Sequence, residues 1–530
     1  MSKPILFILL IPVLIFAYPG KVVHSFRAPH NFSTGLTFDG NYLWLADYNR
    51  DQLMQIDPAS GKVLKSIPSP GFWPMGLAWD GHHLWNVDVK QKKIFQVDPK
   101  DGTILRVLDA PCNDPSGLTW DGQTLWLTDA RKNKIYRLDL SDGTAVKRFI
   151  GPYRSPVGLT FDGKYLWCSD RLKDEIYMVD PANGEVIIIL QAPGPYSRGL
   201  AWDGKFLWNT DFQTDSLYQI IRQDKERYHL SNLRRAKITF THRVSVYGKG
   251  RLRHLETYIA IPENMPQQII KSIRFTPENY RIKKDRWLQK VAVFTDEQVP
   301  SNHTVTDIMT VEAEIYAIRH FIFPDQVGSL QDIPADIRKR YTADGSKYQI
   351  NDPYIQKLAR QIVGKETNPY WMARRIFDYV RRHLEYKLEG GWNTAPVVLQ
   401  RGTGSCSEYT FSFIALARAA GLPARYVGTI VVRGDDASID DVFHRWPQVY
   451  LPEYGWVSFD PQGGDRPLPR DQAMNIGNLS NRFLITTQGG GDSEYLGWYY
   501  DYNEKYELDP KVKIEIETFG EWQPEKINDK

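Results

Sequence analysis

The strongest constraint on the fold of this chain is a repeat. GLTFDG, GLAWDG, GLTWDG, GLTFDG and GLAWDG place Asp39, Asp80, Asp121, Asp162 and Asp203 at a constant spacing of 41. LWxxD follows each at the same period, with Trp44, Trp85, Trp126, Trp167 and Trp208 leading to Asp47, Asp88, Asp129, Asp170 and Asp211. Such a period, kept without insertion, marks units that bury their faces only against one another. Each unit reads as short alternating strands broken at DG, then a hairpin such as IDPASGKV, turned by Asp57, Pro58 and Gly61. Four short strands per unit describe a propeller blade, and blades must close into a ring.

The closure can be read from the same register. Gly61, Gly102, Gly143 and Gly184 mark the start of the fourth strand, and one period earlier lies Gly20 in GKVVHSF. The fifth unit has three strands, the last ending near Ile221. The strand after Gly20 is therefore expected to complete the last blade, giving a five-bladed propeller over residues 20–224. The recurring aspartates admit two readings, a ring that binds a cation or cationic ligand, or turn residues beside Trp wedges between blades. Because every blade carries the same residues, the structural reading is favoured. This half resembles bacterial and plant glutamine cyclotransferase or lyase-type propellers, in which GLTxDG and LW motifs recur; the resemblance implies the fold and transfers no catalytic residue.

Before the repeat, MSKPILFILLIPVLIFA has one charge, Lys3, and an apolar run from Ile5 to Ala17. It is short for a membrane span and reads as an export signal over residues 1–19, with an uncleaved signal-anchor as the alternative. An extracytoplasmic chain is expected, whether periplasmic, at the cell surface or secreted. A net charge of +3 over 530 residues, with no basic run interleaved with aromatics, argues against nucleic acid. Cys112, Cys168 and Cys406 are an odd, scattered set that offers no disulfide framework, and no CxxC or HExxH spacing calls for a metal. No cofactor is expected.

The period stops near Lys225. AKITFTHRVSVYG, HLETYIAIP, WLQKVAVFTDEQV and TVEAEIYAIRHFIF read as longer strands, predicting an antiparallel β-sandwich over 225–330. Helices are then expected to open at Asp352-Pro353 and Asn368-Pro369, where a capping residue precedes proline.

Within residues 331–530, GSCSEYTFSFIALARAAGLPAR sets one cysteine at the head of a helix that stops at Gly421. A thiol there faces unpaired backbone N–H groups and the positive end of the helix dipole, which favour the thiolate. Downstream, HRWPQVYLPEYGWVSFDP reads as a hairpin carrying His444 and Asp460 on adjacent strands. A cysteine, a histidine and an orienting acid are the parts needed for acyl transfer. These residues carry a resemblance: GTGSCSEYTFSFIALARAAGLPARYVGT followed by HRWPQVYLPEYGWVSFDP is similar to the transglutaminase-like domain of transglutaminases and many bacterial cysteine hydrolases. The resemblance covers about residues 330–490. It implies Cys406 as nucleophile, His444 as general base and then acid, and Asp460 as the orienting acid, on a papain-like fold in which the cysteine helix packs on an antiparallel sheet. For the oxyanion, the backbone N–H of Cys406 is one candidate donor, with Gln400, Trp392 and Tyr386 as side-chain candidates. The Gly-, Tyr- and Trp-rich tail after Asn481 either lines a substrate groove or edges the final strands.

The expected protein is a multidomain chain: an all-β five-bladed propeller, an antiparallel β-sandwich and an α+β papain-like transglutaminase core. The expected function is that of an exported cysteine hydrolase acting on a peptide or protein substrate at peptide or carboxamide bonds. The propeller then serves as a scaffold or binds a protein or cell-envelope ligand. The alternatives are a protein-crosslinking transglutaminase, a propeller that cyclises N-terminal glutamine, and a surface binding protein without activity.

Overall fold

The computed structural model describes residues 18–388, 392–434 and 437–524, so nearly all of the expected signal segment lies outside the described residues. The chain divides into two compact units, Met1–Tyr228 and His229–Lys530.

The first unit is the five-bladed propeller, each blade a four-stranded antiparallel sheet. Four blades are consecutive in sequence, and the fifth joins Ser197–Trp202, Phe206–Asp211 and Ser216–Ile221 to the N-terminal strand Val22–Arg27. The blade is tied shut by Gly20 N–H donating to the Ile221 carbonyl at 2.8 Å and Ile221 N–H to that of Lys21 at 2.9 Å. The closure read from Gly20 is the one observed.

The repeated residues explain the ring. Trp44, Trp85, Trp126, Trp167 and Trp208 are all buried between blades, each worth on the order of 5 kcal/mol of gross transfer free energy for about 200 Å² of apolar surface. Burying an indole N–H without a partner would forfeit part of that gain. Each one instead donates to the Oδ2 of the aspartate five residues earlier, at 2.7–2.8 Å from Asp39 through Asp203. The Oδ1 of the same aspartate takes the backbone N–H groups of the following turn, as Asp39 does from Asn41 and Tyr42. These five aspartates are thus occupied by the scaffold. The glycine opening each GLxxDG has a different cause: a Cβ at Gly35 would collide with the Met75 carbonyl of the next blade, and one at Gly199 with Leu36 of the first. This glycine seam lets the innermost strands approach backbone to backbone all the way round.

The second unit holds a β-sandwich and an α+β core. One sheet of the sandwich orders Gln268–Thr276, Thr304–His320, Tyr228–Gly248, Val512–Pro524 and Ser438–Asp440; the other orders Arg281–Lys284, Lys290–Pro300, Arg251–Ala260 and Tyr502–Leu508. The boundary of 225–330 therefore takes in only part of the sandwich. Two of its strands return from the C-terminal end, with Tyr247 opposite Lys513 and Leu252 opposite Leu508. The physical reason is edge coverage, since Tyr228–Gly248 and Arg251–Ala260 would otherwise leave long rows of backbone groups unpaired.

In the core, Pro353–Val363 is capped by Asp352 accepting from Tyr354 N–H, and Pro369–His383 by Asn368 accepting from Tyr370 and Trp371 N–H. With Ala395–Arg401 they surround the buried helix Cys406–Ala419. That helix packs on an antiparallel sheet ordered Gly455–Ser458, His444–Leu451, Ala424–Val431, Phe483–Gly489. Among the described residues no helix is long and apolar enough to cross a membrane.

Candidate active site

Cys406 is the first residue of its helix and is 7% exposed. The approach to it is fixed by Glu408, which is wholly buried. Glu408 accepts from Ser405 N–H at 3.0 Å and from Asn393 N–H at 2.9 Å, and it pairs with Arg401 at 3.1 Å. A carboxylate in the first helical turn suits the dipole, and here it also pins two loops beside the thiol. Thr410 Oγ1 donates to the Cys406 carbonyl at 2.8 Å and lies 3.2 Å from the Arg445 carbonyl, joining the cysteine helix to the histidine strand.

His444 begins its strand opposite Thr429, and Asp460 lies just past the end of the neighbouring strand. His444 Nε2–H donates to Asp460 Oδ2 at 2.8 Å, while Asp460 Oδ1 accepts from Gly463 N–H at 3.0 Å. That leaves Nδ1 of the imidazole for the Cys406 thiol, whose ionised form the imidazole favours. Burial alone would push His444 toward the neutral form, but the Asp460 carboxylate and the Cys406 thiol outweigh it and raise its pKa. For Cys406, burial would raise the pKa; hydrogen bonding to His444, the charges of His444 and Arg445, and the Arg445 backbone N–H bring it below the ordinary value. The two shifts describe one thiolate–imidazolium pair.

The other two thiols move the opposite way. Burial pushes Cys112 up to about 12, with Asp129 adding to the shift, and burial raises Cys168 as well. All three cysteines are buried, so ionisation rather than exposure separates them. At pH 6, iodoacetamide should alkylate Cys406 at least about 100-fold faster than Cys112 or Cys168. Peptide mapping of a time course reads the rates, and comparable labelling of the three would contradict the ion pair.

Arg445 is a residue the sequence reading did not find. It is fully buried, and its guanidinium lies over Tyr500, Tyr426, Trp392 and Phe411 at 4.1, 4.6, 5.0 and 5.0 Å. Nη2 donates to the Trp498 carbonyl at 2.5 Å, whereas Nε and Nη1 are buried without a partner. A carboxylate partner would cancel the cation's field; rings hold the cation without neutralising it. The positive charge is thus left to act on the thiol. Asp501 is the nearby acid, but burial, with the Asp440 charge adding to it, outweighs the Thr486 hydrogen bond and Arg445 and leaves its carboxyl pushed up to about 7.

Of the three side-chain oxyanion candidates, Tyr386 and Trp392 lie in this neighbourhood and Gln400 does not show it. The thiol acts electrostatically on Tyr386, and Trp392 meets Tyr499 edge to face and lies beneath Arg445. Gln400 sits on the exposed side of Ala395–Arg401. Tyr500, from the tail whose sequence reads as groove lining or as sheet edge, is buried and also feels the thiol. The aromatic tail therefore contributes Trp498, Tyr499 and Tyr500 to the surroundings of the cysteine, before its last strands join the sandwich.

A groove of about 570 Å³ opens on the His444–Asp460 side, lined also by Arg433, Gln462, Arg466 and Phe483. Among the described residues no group of three or more His, Cys, Asp or Glu is placed to hold a metal.

An uncharacterised protein of Haemophilus influenzae is 25% identical over 249 residues, 41% of this chain and 65% of its own length. The uncharacterised protein YebA of Bacillus subtilis is 38% identical over 160 residues, 24% of this chain and 21% of its own. The chain thus spans less than two thirds of either relative. Among solved structures, a candidate cysteine protease from Cytophaga hutchinsonii aligns at 19% identity with a TM-score of 0.38, covering 55% of this chain and 92% of its own. Myxococcus xanthus glutaminyl cyclase aligns at 15% identity with a TM-score of 0.34, covering 38% and 94%. Residues 356–461, the segment that contains Cys406, His444 and Asp460, match the model of the transglutaminase-like superfamily, and the second unit accordingly carries a transglutaminase-like domain.

Proposed function

We propose that the protein is an exported transglutaminase-like cysteine hydrolase that cleaves peptide or carboxamide bonds through an acyl-enzyme. The observation that carries this reading is the array of buried Cys406 with partly buried His444 and Asp460, with the 2.8 Å His444–Asp460 hydrogen bond and a thiol pKa lowered beside the imidazole. In the first half-reaction, Cys406 Sγ attacks the carbonyl carbon and the C–S bond forms as the carbonyl π electrons move to oxygen. The Cys406 backbone N–H at the helix start receives that oxyanion. His444 passes its proton to the leaving nitrogen, the C–N bond breaks, and ammonia or an amine departs. In the second, His444 takes a proton from water, hydroxide adds to the thioester, and the C–S bond breaks to release the acid and restore the thiolate. Asp460 holds the imidazole in orientation throughout, and the propeller serves as a binding or scaffold domain.

Hydrolysis and transamidation share the acyl-enzyme and differ in what resolves it. An amide-based thiol probe should label Cys406 in the purified protein, and glutamine-containing peptides should release ammonia. With a primary amine added, water should remain the principal acceptor. Predominant amine incorporation would make the protein a crosslinking enzyme, and no labelling with no ammonia release would remove the enzymatic reading altogether.

A further inference from the structure

Around the propeller axis the repeat keeps its scaffold and varies its lining. The residue immediately before each seam glycine is Thr34, Met75, Ser116, Val157 or Arg198. The residue immediately after each LWxxD aspartate is Tyr48, Val89, Ala130, Arg171 or Phe212. No residue type recurs within either set, although the adjoining Gly or Asp is the same in every blade. All ten line one cavity of about 240 Å³, together with Trp73 and Asp114. Five equivalent blades thus enclose a concave cavity whose lining differs in every blade, the setting of a ligand site.

The chemistry of that cavity is asymmetric. Arg171 and Arg198 come from neighbouring blades and converge on Tyr196: Arg171 Nη1 donates to its hydroxyl at 3.4 Å, and the Arg198 guanidinium lies over its ring at 5.1 Å and over Phe212 at 5.4 Å. Nε of each arginine is buried without a hydrogen-bond partner. Burial works against the Arg198 charge, and Asp114, the carboxylate in the lining, reaches it only through its field. From this cationic corner an aromatic arc runs through Tyr196, Phe212, Phe32, Tyr48 and Trp73, with successive ring centroids 5.5, 5.4, 5.9 and 6.4 Å apart. Phe32 and Trp73 are exposed. Half-buried guanidinium groups with no carboxylate hydrogen-bonded to them gain most from a ligand that brings one, and the arc offers its apolar part a place to stack.

We propose that the axial cavity binds a small organic carboxylate that carries an aromatic or apolar group, its carboxylate on Arg171 and Arg198 and its apolar part on the arc. The volume admits about one amino-acid residue. That chemistry is supplied either by a free small acid or by the C-terminal residue of a peptide. The site is independent of Cys406 chemistry, so it stands or falls apart from the hydrolase reading.

Calorimetric titration of the full-length Cys406→Ala protein tests it with four probes: N-acetylphenylalanine, its primary amide, and a hexapeptide ending in phenylalanine with a free or an amidated C-terminus. The acids should bind, and the amides should bind at least about 10-fold more weakly, since a charge-assisted pair is lost. Binding of both acids or of the small acid alone assigns the source as a free carboxylate; binding of the peptide acid alone assigns it as a chain terminus. Arg171→Gln and Arg198→Gln should each lower acid affinity about 10- to 100-fold with little change for the amides. Acids that fail to bind, acids and amides of equal affinity, or arginine variants that fold and bind acids as the parent does would each overturn the proposal. The acid–amide contrast is measured without touching the propeller, so it decides the question even if an arginine variant fails to fold.

Discussion

Cys406→Ala is expected to melt like the parent protein and to lose turnover by about 10⁴-fold or more, since the covalent route disappears and only binding and the oxyanion donors remain. The side chain occupies little space at the helix start and makes no hydrogen bond on which the helix cap depends, because that cap rests on Glu408. The pH profile should carry the signature of the ion pair. With Cys406 lowered and His444 raised, the thiolate–imidazolium form exists between the two pKa values. Activity should therefore rise on the acid side as Cys406 ionises and fall on the alkaline side as His444 loses its proton. Asp460→Asn removes the charge that holds His444 up, so the alkaline limb should move to lower pH while kcat drops by about 10²- to 10⁴-fold. An alkaline limb that stays in place in Asp460→Asn would show that Asp460 does not set the histidine's ionisation. Residual activity near the parent's in Cys406→Ala would remove the cysteine from the chemistry.

How much of this site is legible in the sequence depends on which contacts are local. The thiol at a helix head, the His444 hairpin and the DP turn at Asp460 each have a short-range signature, and the hairpin brings two of the three groups together across a few residues. Arg445 had no such signature. In a strand with one buried face, the residue after an inward-pointing histidine points to solvent. Here His444–Leu451 is buried on both faces, between the cysteine helix and the returning aromatic tail, so alternation carries no information about Arg445. Tyr500 was obscured for a related reason, since GWYYDY reads equally well as sheet edge and as site lining. Glu408 was legible in principle as the third helical residue after Ser405, a capping-box position.

The fold divides along the same line. The propeller was fully readable because its period, turns and closing strand all recur at one spacing, and the register of the repeat itself fixes which blade lacks a strand. The sandwich was readable only in part. Strands that pair across some 250 residues, as Leu252 does with Leu508, leave no periodic trace, and Tyr502–Leu508 alternates like any exposed strand. The same repetition that reveals the scaffold also hides the axial cavity, whose meaning lies in positions where the blades differ.

Deleting Gly20–Arg27 should unfold the propeller's cooperative structure, because the lost strand joins the two ends of the ring rather than decorating its rim. Val22–Arg27 pairs with Ser216–Ile221 from Val22 opposite Ile220 to Arg27 opposite Ser216. The flanking bonds from Gly20 and Ile221 would also go. Phe26 rests on Trp208 of the last blade with ring centroids 5.9 Å apart, and it also lies against Gly61 of the first, where a Cβ would come within 2.7 Å of its ring. The strand therefore completes the one blade whose four strands are not consecutive in sequence, and it links that blade to the first. At about 1 kcal/mol for each lost backbone hydrogen bond and about 1–3 kcal/mol for Phe26, the sum reaches several kcal/mol. That is comparable with the whole stability of a domain. The exposed edge of Ser216–Ile221 then offers a template for association between copies. Scanning calorimetry should show the propeller transition weakened or absent, with light scattering rising, while Phe26→Ala keeps the transition at a lower temperature. Deletion of Met1–Ala17 is the control and should leave the transition where it was. A monomeric Gly20–Arg27 deletion that melts as the parent does would mean that the ring is held by its glycine seam and Trp wedges alone.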